Sequence, residues 1–437
     1  MLAELTERAD DAIRVARAAG ADEVFASADR TRGVEVQVRD GAIEKLEEST
    51  SRGLSVRLYV RGRYGTYRTS DLRPEPLRAF IADAVAMTRA LERDPFRIIP
   101  DPALYEGRST EDLGLLDPAI LALDMDTRIR WCMELSAECR HERLVSATVG
   151  ANDGHSLVAS ASSNGFRGTH ERTVHWRGVG VTLRDEGDAR PEGHYWVGAR
   201  HLADVPDTAR VGAAGLEDAV RRLGATSGPT RRTTMVVEPR AGARLIGLLL
   251  GPANASAFSQ QRSFWRERVG ARAVSSRLEV TDEPLIVRGH GSRYYDAEGI
   301  AARPLPIVTG GALVNLYVDT YYGRKIERPP TTGSTSNLVV RPGARDLRAI
   351  VADVREGYLV TSWLGGNSDA TTGDFSLGLR GHRIERGQIG GPVQEMNVTG
   401  NLLTLFSALA EVGSDPWPYG STLVPTLAFE GVQFSGA

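Results

Sequence analysis

Hydrophobic and polar positions divide the chain into stretches of two periods. Leu5, Ala9, Ile13 and Ala16 recur at helical spacing and stop at Gly20, which predicts a first helix. From Val34 the period is two: Val34, Val36 and Val38 alternate with Glu35, Gln37 and Arg39. Asp40-Gly41 is a hairpin signal, and residues 43–48 read as the returning strand. Leu54, Val56, Leu58 and Val60 alternate again, and Arg61-Gly62 turns the chain into 64–69. Such alternation belongs to antiparallel strands with one wet face. After Asp71 a second helix carries Leu77, Phe80, Ile81, Ala84, Val85 and Leu91 on its apolar side, so the unit reads α-β-β-β-β-α.

A proline-bearing connector follows over 94–117, then a helix over about 118–140. Strand-like stretches at 145–149, 156–162, 165–183 and 193–199 are separated by the turn signals Asn152-Asp153-Gly154, Asn164-Gly165 and Glu186-Gly187-Asp188. A helix over 208–223 precedes the clearest linker, 224–230. The second half opens on Val236-Val237, a strand end, and Pro239 at the start of a short helix, where its missing N–H is not needed. Leu245, Ile246, Leu248, Leu249 and Leu250 are apolar nearly all round, which predicts a buried helix, and Gly251-Pro252 stops it. Beyond lie strands near 278–280, 305–308, 313–317, 359–364, 375–379, 381–384, 388–398 and 424–432, with helices over 346–354 and 402–412 and polar loops over 331–337 and 365–374. The expected fold is α+β. Its parts are an N-terminal α/β-meander domain with an antiparallel sheet (1–93), the connector 94–117, a middle domain packing with the first (118–223), the linker 224–230, and a mostly antiparallel β domain with a few helices (231–437).

Composition narrows the function classes. With 437 residues, 41% hydrophobic and 25% charged, this is an ordinary globular chain. Its net charge of −3 provides no basic field for nucleic acid. Lys45 and Lys325 are the only lysines, so arginine carries nearly all the positive charge, as coding bias alone produces. Cys132 and Cys139, seven apart in a helical stretch, read as free buried thiols rather than a disulfide framework. The first ten residues are acidic and amphipathic, unlike a signal peptide, and no apolar run reaches membrane-spanning length. The expectation is a cytoplasmic protein with no membrane contact.

One string invites a metal reading: His170-Glu171-Arg172-Thr173-Val174-His175 matches H-E-x-x-x-H. Its surroundings (Thr173, Val174, Trp176, Val179, Val181) are those of a strand, where positions five apart face opposite sides. Solvated strand histidines are the plainer reading. His194 and His201 flank Tyr195-Trp196 in strand-like sequence, and His141, His155, His290 and His382 are isolated. No nucleophile elbow, phosphate loop or dinucleotide fingerprint occurs. The loop Gly365 to Asp374 has the look of a Ca²⁺ or phosphate loop but lacks the acid spacing and terminal Glu of an EF-hand. Asp296 and Glu298, two apart before Gly299, are a candidate carboxylate pair or ordinary hairpin acids.

Several blocks together resemble the TldD/PmbA family, also called modulators of DNA gyrase. They are Val34 to Glu48 with Arg52 to Arg57; Tyr295-Asp296-Ala297-Glu298-Gly299 with Gly310-Gly311-Ala312-Leu313; and Thr372-Gly373-Asp374-Phe375-Ser376, Gly387-Gln388-Ile389, Pro392-Val393-Gln394-Glu395 and Gly400-Asn401-Leu402. The resemblance spans nearly the whole chain. It implies two branches. TldD-like members are zinc metallopeptidases with H-E-x-x-x-H on a helix early in the C-terminal domain and a later Cys as third ligand, the Glu serving as general base. The PmbA, or TldE, branch lacks these ligands and pairs with TldD.

In this chain the matching helix, about residues 245–258, holds no His and no Glu, and no Cys follows Cys139. No catalytic, metal-binding or cofactor-binding residue carries over, so the chain resembles the PmbA/TldE branch. The implied role is a non-catalytic subunit that helps to enclose the site and to bind unfolded or extended peptides, with zinc in the TldD-like partner. A stand-alone homodimer that binds peptides or toxins without peptidase activity is the alternative. An active zinc enzyme built on His170, Glu171 and His175 is a third.

Overall fold

A computed structural model of the chain describes residues 1–436. The first half folds around one sheet. Helix α1 (Leu2–Ala18) leads into β1 (Glu23–Arg39), β2 (Ala42–Val60), β3 (Arg63–Thr69) and helix α2 (Pro74–Arg89). After the connector come α3 (Pro118–Leu121), α4 (Met125–Glu138), β4 (Leu144–Ser162), β5 (Arg167–Leu183), β6 (Glu192–Ala199) and α5 (Thr208–Val220). The strands form one antiparallel sheet in the order β3-β2-β1-β4-β5-β6, so residues 1–93 and 118–223 contribute three strands each to a continuous surface. Asp40-Gly41, with φ of 51° and 79°, makes the two-residue hairpin between β1 and β2. Both residues are left-handed, matching the twist of the strands they join. The helices cover one face. Val24, Ala26, Leu54, Val56, Leu58 and Ala159 meet α1 and α2, while Val149, Val179 and Val181 meet α4 and α5.

The sequence expectation is corrected at three points here. Four strands of the first meander are three, because residues 43–48 and 54–60 belong to the single 19-residue β2. Asn152-Asp153-Gly154 lies mid-strand in β4 rather than in a turn, because Asp153 finds buried partners instead of solvent. The helix over 118–140 is two helices, since Asp124 caps the second by accepting from the Thr127 N–H at 2.8 Å.

The second lobe begins with β7 (Arg231–Val237), α6 (Pro239–Leu250) and α7 (Ala255–Ser259). Then come β8 (Val280–Asp282), β9 (Leu305–Thr309), β10 (Ala312–Leu313), α8 (Thr320–Lys325), β11 (Leu338–Val340) and α9 (Leu347–Ala352). The chain continues through β12 (Glu356–Ser368), β13 (Asp374–Glu385), β14 (Gln388–Asn401), α10 (Leu402–Ser407), β15 (Leu409–Val412), β16 (Thr422–Leu423) and β17 (Leu427–Ser435). A six-stranded sheet runs β14-β13-β12-β7-β17-β15, and a further β14–β17 pairing curls it toward closure. A smaller sheet runs β10-β9-β8-β11-β16. Most pairings are antiparallel; β7–β12 and β11–β16 are parallel. The stretch 402–412 divides into a helix and a strand, because residues 409–412 add to β17. The stretch 224–230 lies along β14: the Thr226 N–H donates to the Pro392 carbonyl (3.3 Å), and the Gln394 N–H to the Thr226 carbonyl (3.2 Å).

An ion cluster joins the lobes. Asp218 on α5, 3% exposed, accepts from Arg222 (2.8 Å) and from Arg240 of α6 (3.0 Å), with Arg221 at 3.3 Å. Burial raises the Asp218 pKa, but the three guanidiniums outweigh it and the net displacement is downward.

Candidate functional site

Two places bear on metal chemistry, the His-Glu string and helix α6. The string lies on β5, and its residues diverge. His175 points to the helix-covered face and is fully buried. Its Nδ1 hydrogen-bonds Asp153, and Arg177 Nε donates to its Nε2 at 3.2 Å. Asp153 also pairs with Arg128 Nε, and Arg128 is 1% exposed and donates in addition to the Leu123 and Asp124 carbonyls (2.8 Å each). Burial holds the His175 pKa down against the pull of Asp153. A neutral ring with its proton on Nδ1 satisfies both neighbours. Both nitrogens are then engaged, which leaves no lone pair for a metal.

His170 faces the other side, toward the second lobe. Its Nδ1 is 3.4 Å from the Tyr295 hydroxyl, and burial, then the charges of Arg172 and Arg200, push its pKa down to about 4. Glu171 turns back to the His175 side, where His155 Nε2 meets it at 2.7 Å. The string thus keeps its letters and loses its geometry, as the strand period requires.

Helix α6 keeps the geometry without the letters. Leu245, Ile246, Leu249 and Leu250 face the core with Trp265, whose Nε1 donates to the Leu249 carbonyl at 2.8 Å. The all-round burial expected from sequence is corrected: Arg244 and Gly247 are exposed and Leu248 is half-buried, because none of the described residues covers that side. At Gly251-Pro252 the helix breaks. Asn254 then caps α7, its Oδ1 accepting from the Ala257 N–H (2.9 Å) and its Nδ2 donating to the Gly251 carbonyl (2.7 Å). The open side of α6 and α7 forms a shallow hollow of about 360 Å³ lined by Gly247, Leu248, Asn254, Ser256, Gln260 and Ser368. It offers amide, hydroxyl and methyl groups and the Arg262 guanidinium, but no imidazole, thiolate or carboxylate. A zinc ion does not fit this donor set. Among the described residues no three His, Cys, Asp or Glu side chains converge in a way that could hold a metal ion.

Beside the hollow runs the far end of β12. Residues 357–360 pair with β7, but from Thr361 to Ser368 the strand pairs only with β13 among the described residues. Residues 364–368 are exposed there, and Arg244 of α6 donates to the Gly365 carbonyl at 2.7 Å. Neither the hollow nor this edge was legible in sequence, because both depend on where β7 ends relative to β12.

The remaining candidates are engaged elsewhere. Asp296 accepts four hydrogen bonds, from the Glu298 and Ile300 N–H groups (2.9 and 3.0 Å), the Thr332 hydroxyl and the Gly333 N–H (3.2 Å each). Glu298 accepts from the Thr320 N–H and hydroxyl (2.8 and 2.9 Å), so the two acids organise separate loops. In the 365–374 loop Asp369 folds onto the Thr371 N–H (2.7 Å), and Asp374 takes Asn401 and Thr372. His201 meets the Gly114 carbonyl at 2.8 Å, and exposed His194 stands 3.9 Å from Glu192. Cys132 and Cys139 are buried free thiols whose pKa values burial pushes up to about 12 and about 11. No helix among the described residues is long and apolar enough to cross a membrane.

The fold and these sites define a two-lobed α+β protein with a helix-backed antiparallel sheet in one lobe and a curled sheet in the other. Family models for PmbA/TldA metallopeptidases match it in three parts: domain 1 over residues 26–88, the central domain over 118–223 and the C-terminal domain over 230–436. The chain belongs to the PmbA/TldD metallopeptidase family. It is 24% identical to Metalloprotease PmbA of Escherichia coli O157:H7 over 410 residues, 92% of this chain and 91% of that one. A crystal structure of a protein described as a modulator of DNA gyrase, from Bacteroides thetaiotaomicron, is 35% identical with a TM-score of 0.96, covering 99% of this chain and 98% of that one. TldE from Thermococcus kodakarensis shares the fold alone: 18% identity, TM-score 0.86, 98% and 100% coverage.

Proposed function

We propose that this chain is the non-catalytic, PmbA/TldE-like subunit of a cytoplasmic TldD/TldE-type zinc metalloprotease. In this reading it dimerises with a TldD-like chain that carries the zinc, helps to enclose the site, and holds extended peptides for proteolysis. The observation that carries the reading is the open side of α6 and α7. It keeps a helical backbone and an accessible hollow, yet it presents Gly247, Leu248, Asn254, Ser256 and Gln260 where metal donors would be needed. The unpaired edge of β12 next to it supports the peptide-binding part. An extended chain laid along the exposed residues 364–368 would gain backbone hydrogen bonds without strong side-chain selectivity. The family to which the chain belongs supports the reading as well.

The test is reconstitution. The chain is purified alone and together with a TldD-like partner, and zinc content and cleavage of an unfolded peptide are measured for each. The expected result is no stoichiometric zinc and no cleavage for the chain alone, with both present in the pair. A homodimer that binds peptides but neither recruits such a partner nor restores cleavage would favour the stand-alone binding protein instead.

A further inference from the structure

A second cleft, on the seam between the lobes, collects more positive than negative charge, three arginines against one aspartate. It encloses about 280 Å³, and its charged walls are Arg57 of β2, Arg172 of β5 and Arg293 and Asp296 of the second lobe. Among the described residues none of the three arginines is paired with a carboxylate. Asp296 makes no direct ion pair with them, because its oxygens accept the four hydrogen bonds of its own loop, and its single charge offsets only one of the three arginines. Arg293 spends its two terminal nitrogens on Ser334 and Thr332, and its Nε is buried with no partner among the described residues. Arg57 meets the Ala297 carbonyl and lies 4.2 Å from the centre of the Phe25 ring. Arg172 makes no hydrogen bond or ion pair among the described residues, although it reaches into the cleft.

The charge is reinforced from behind. Arg200, 6% exposed, is held only by carbonyls, those of Thr173 (3.1 Å), Gly289 and His290. Burial and the neighbouring charge of Arg172 push its pKa down to about 10. Guanidiniums crowded and partly removed from water with fewer counter-charges than cations are unfavourable until a further anion joins them. His170, at the same cleft, is neutral at pH 7 and adds no charge, so the excess of arginines over Asp296 sets the preference.

We propose that this cleft receives the carboxylate group of a peptide chain, with Arg172 as its principal partner and Arg57 and Arg293 flanking it. A planar two-oxygen anion matches the guanidinium fork. Among the other walls, which include Ser27, Ser160, Ser292 and Ser334, Phe25, Leu115 and Val158 offer apolar surface for the residue that bears the carboxylate. Tyr294 and Tyr295 are shared with a wider groove of about 960 Å³, which gives the rest of a peptide a way out. The inference rests on the peptide-binding part of the reading above and adds which chemical group is recognised.

The chain is titrated by calorimetry with acetyl-pentaalanine bearing a free C-terminal carboxylate, with its C-terminal amide, and with inorganic phosphate. The free acid is expected to bind at least about tenfold more tightly than the amide, the loss typical of one charge-assisted hydrogen-bonding partner. Arg172→Gln is expected to erase that preference without lowering the melting temperature, since the side chain makes no internal bond and its charge crowds Arg200; Arg172→Lys retains part of the preference. Equal binding of acid and amide would overturn the carboxylate cleft while leaving peptide binding intact. Binding of neither peptide would overturn both. Binding of phosphate without discrimination between the peptides would assign the cleft to a free anion and overturn the proposal.

Discussion

Strand β5 carries His170, Glu171 and His175 on an extended backbone, whereas α6 supplies a helical backbone in the second lobe and carries Arg244, Gly247 and Leu248 on its open side. In β5 the period of two sends His175 into a buried network and His170 to the opposite lobe. In α6 the period of 3.6 keeps one face in the core and leaves one free, so that donors placed there would converge. The difference teaches that a ligand motif is a statement about backbone period as much as about residue type. One region has donors consumed by structure, and the other has an accessible place that no donor occupies.

The comparison breaks first at the buried network. Arg128→Ala strands Asp153 beside His175 with most of its counter-charge removed, and is expected to destabilise the fold by about 3–5 kcal/mol, read by denaturant or thermal unfolding. A loss within experimental error would mean that water reaches the site and that β5 is freer than described. Leu249→Ala, on the core side of α6, is expected to cost about 3 kcal/mol through the cavity it leaves. His175→Ala is expected to cost about 2 kcal/mol, from unmet bonds to Asp153 and Arg177. It should leave metal content unchanged, and a fall in bound metal on this substitution would return β5 to consideration as a site.

A pH dependence at His170 is the most gradual effect, spread over the acid range rather than read at one pH. Its folded pKa, about 4, lies below the ordinary 6.5, so the unfolded chain binds more protons between those values. The stability it contributes is fully present above pH 6.5 and is lost as pH falls toward 4, with a slope of at most about 1.4 kcal/mol per pH unit. His170→Gln is expected to flatten the wild-type stability curve in that window. Identical slopes for the two proteins would place His170 in solvent.

Much of the architecture was legible in local pattern. The period-two runs and the Asp40-Gly41 turn gave the β1–β2 hairpin, and Pro239 with Gly251-Pro252 bounded α6 closely. What failed were places where a distant partner overrides local chemistry. Asn152-Asp153-Gly154 has turn composition, yet Arg128, 25 positions away, and His175, 22 away, hold Asp153 inside a strand. Residues 409–412 continue a helical pattern but are drawn into pairing with β17. For the sites, sequence could say that α6 lacks donors. It could not say that Arg57, Arg172 and Arg293, drawn from two lobes, share one cleft, since no spacing along the chain encodes that meeting.

The central claim is that the chemistry belongs to a partner chain. The most direct measurement is zinc stoichiometry together with peptide cleavage, made on the purified chain alone and on its complex with a TldD-like protein. The expected result is zinc and cleavage only in the complex, both unaffected by His175→Ala in this chain. Stoichiometric zinc and proteolysis by this chain alone would contradict the claim.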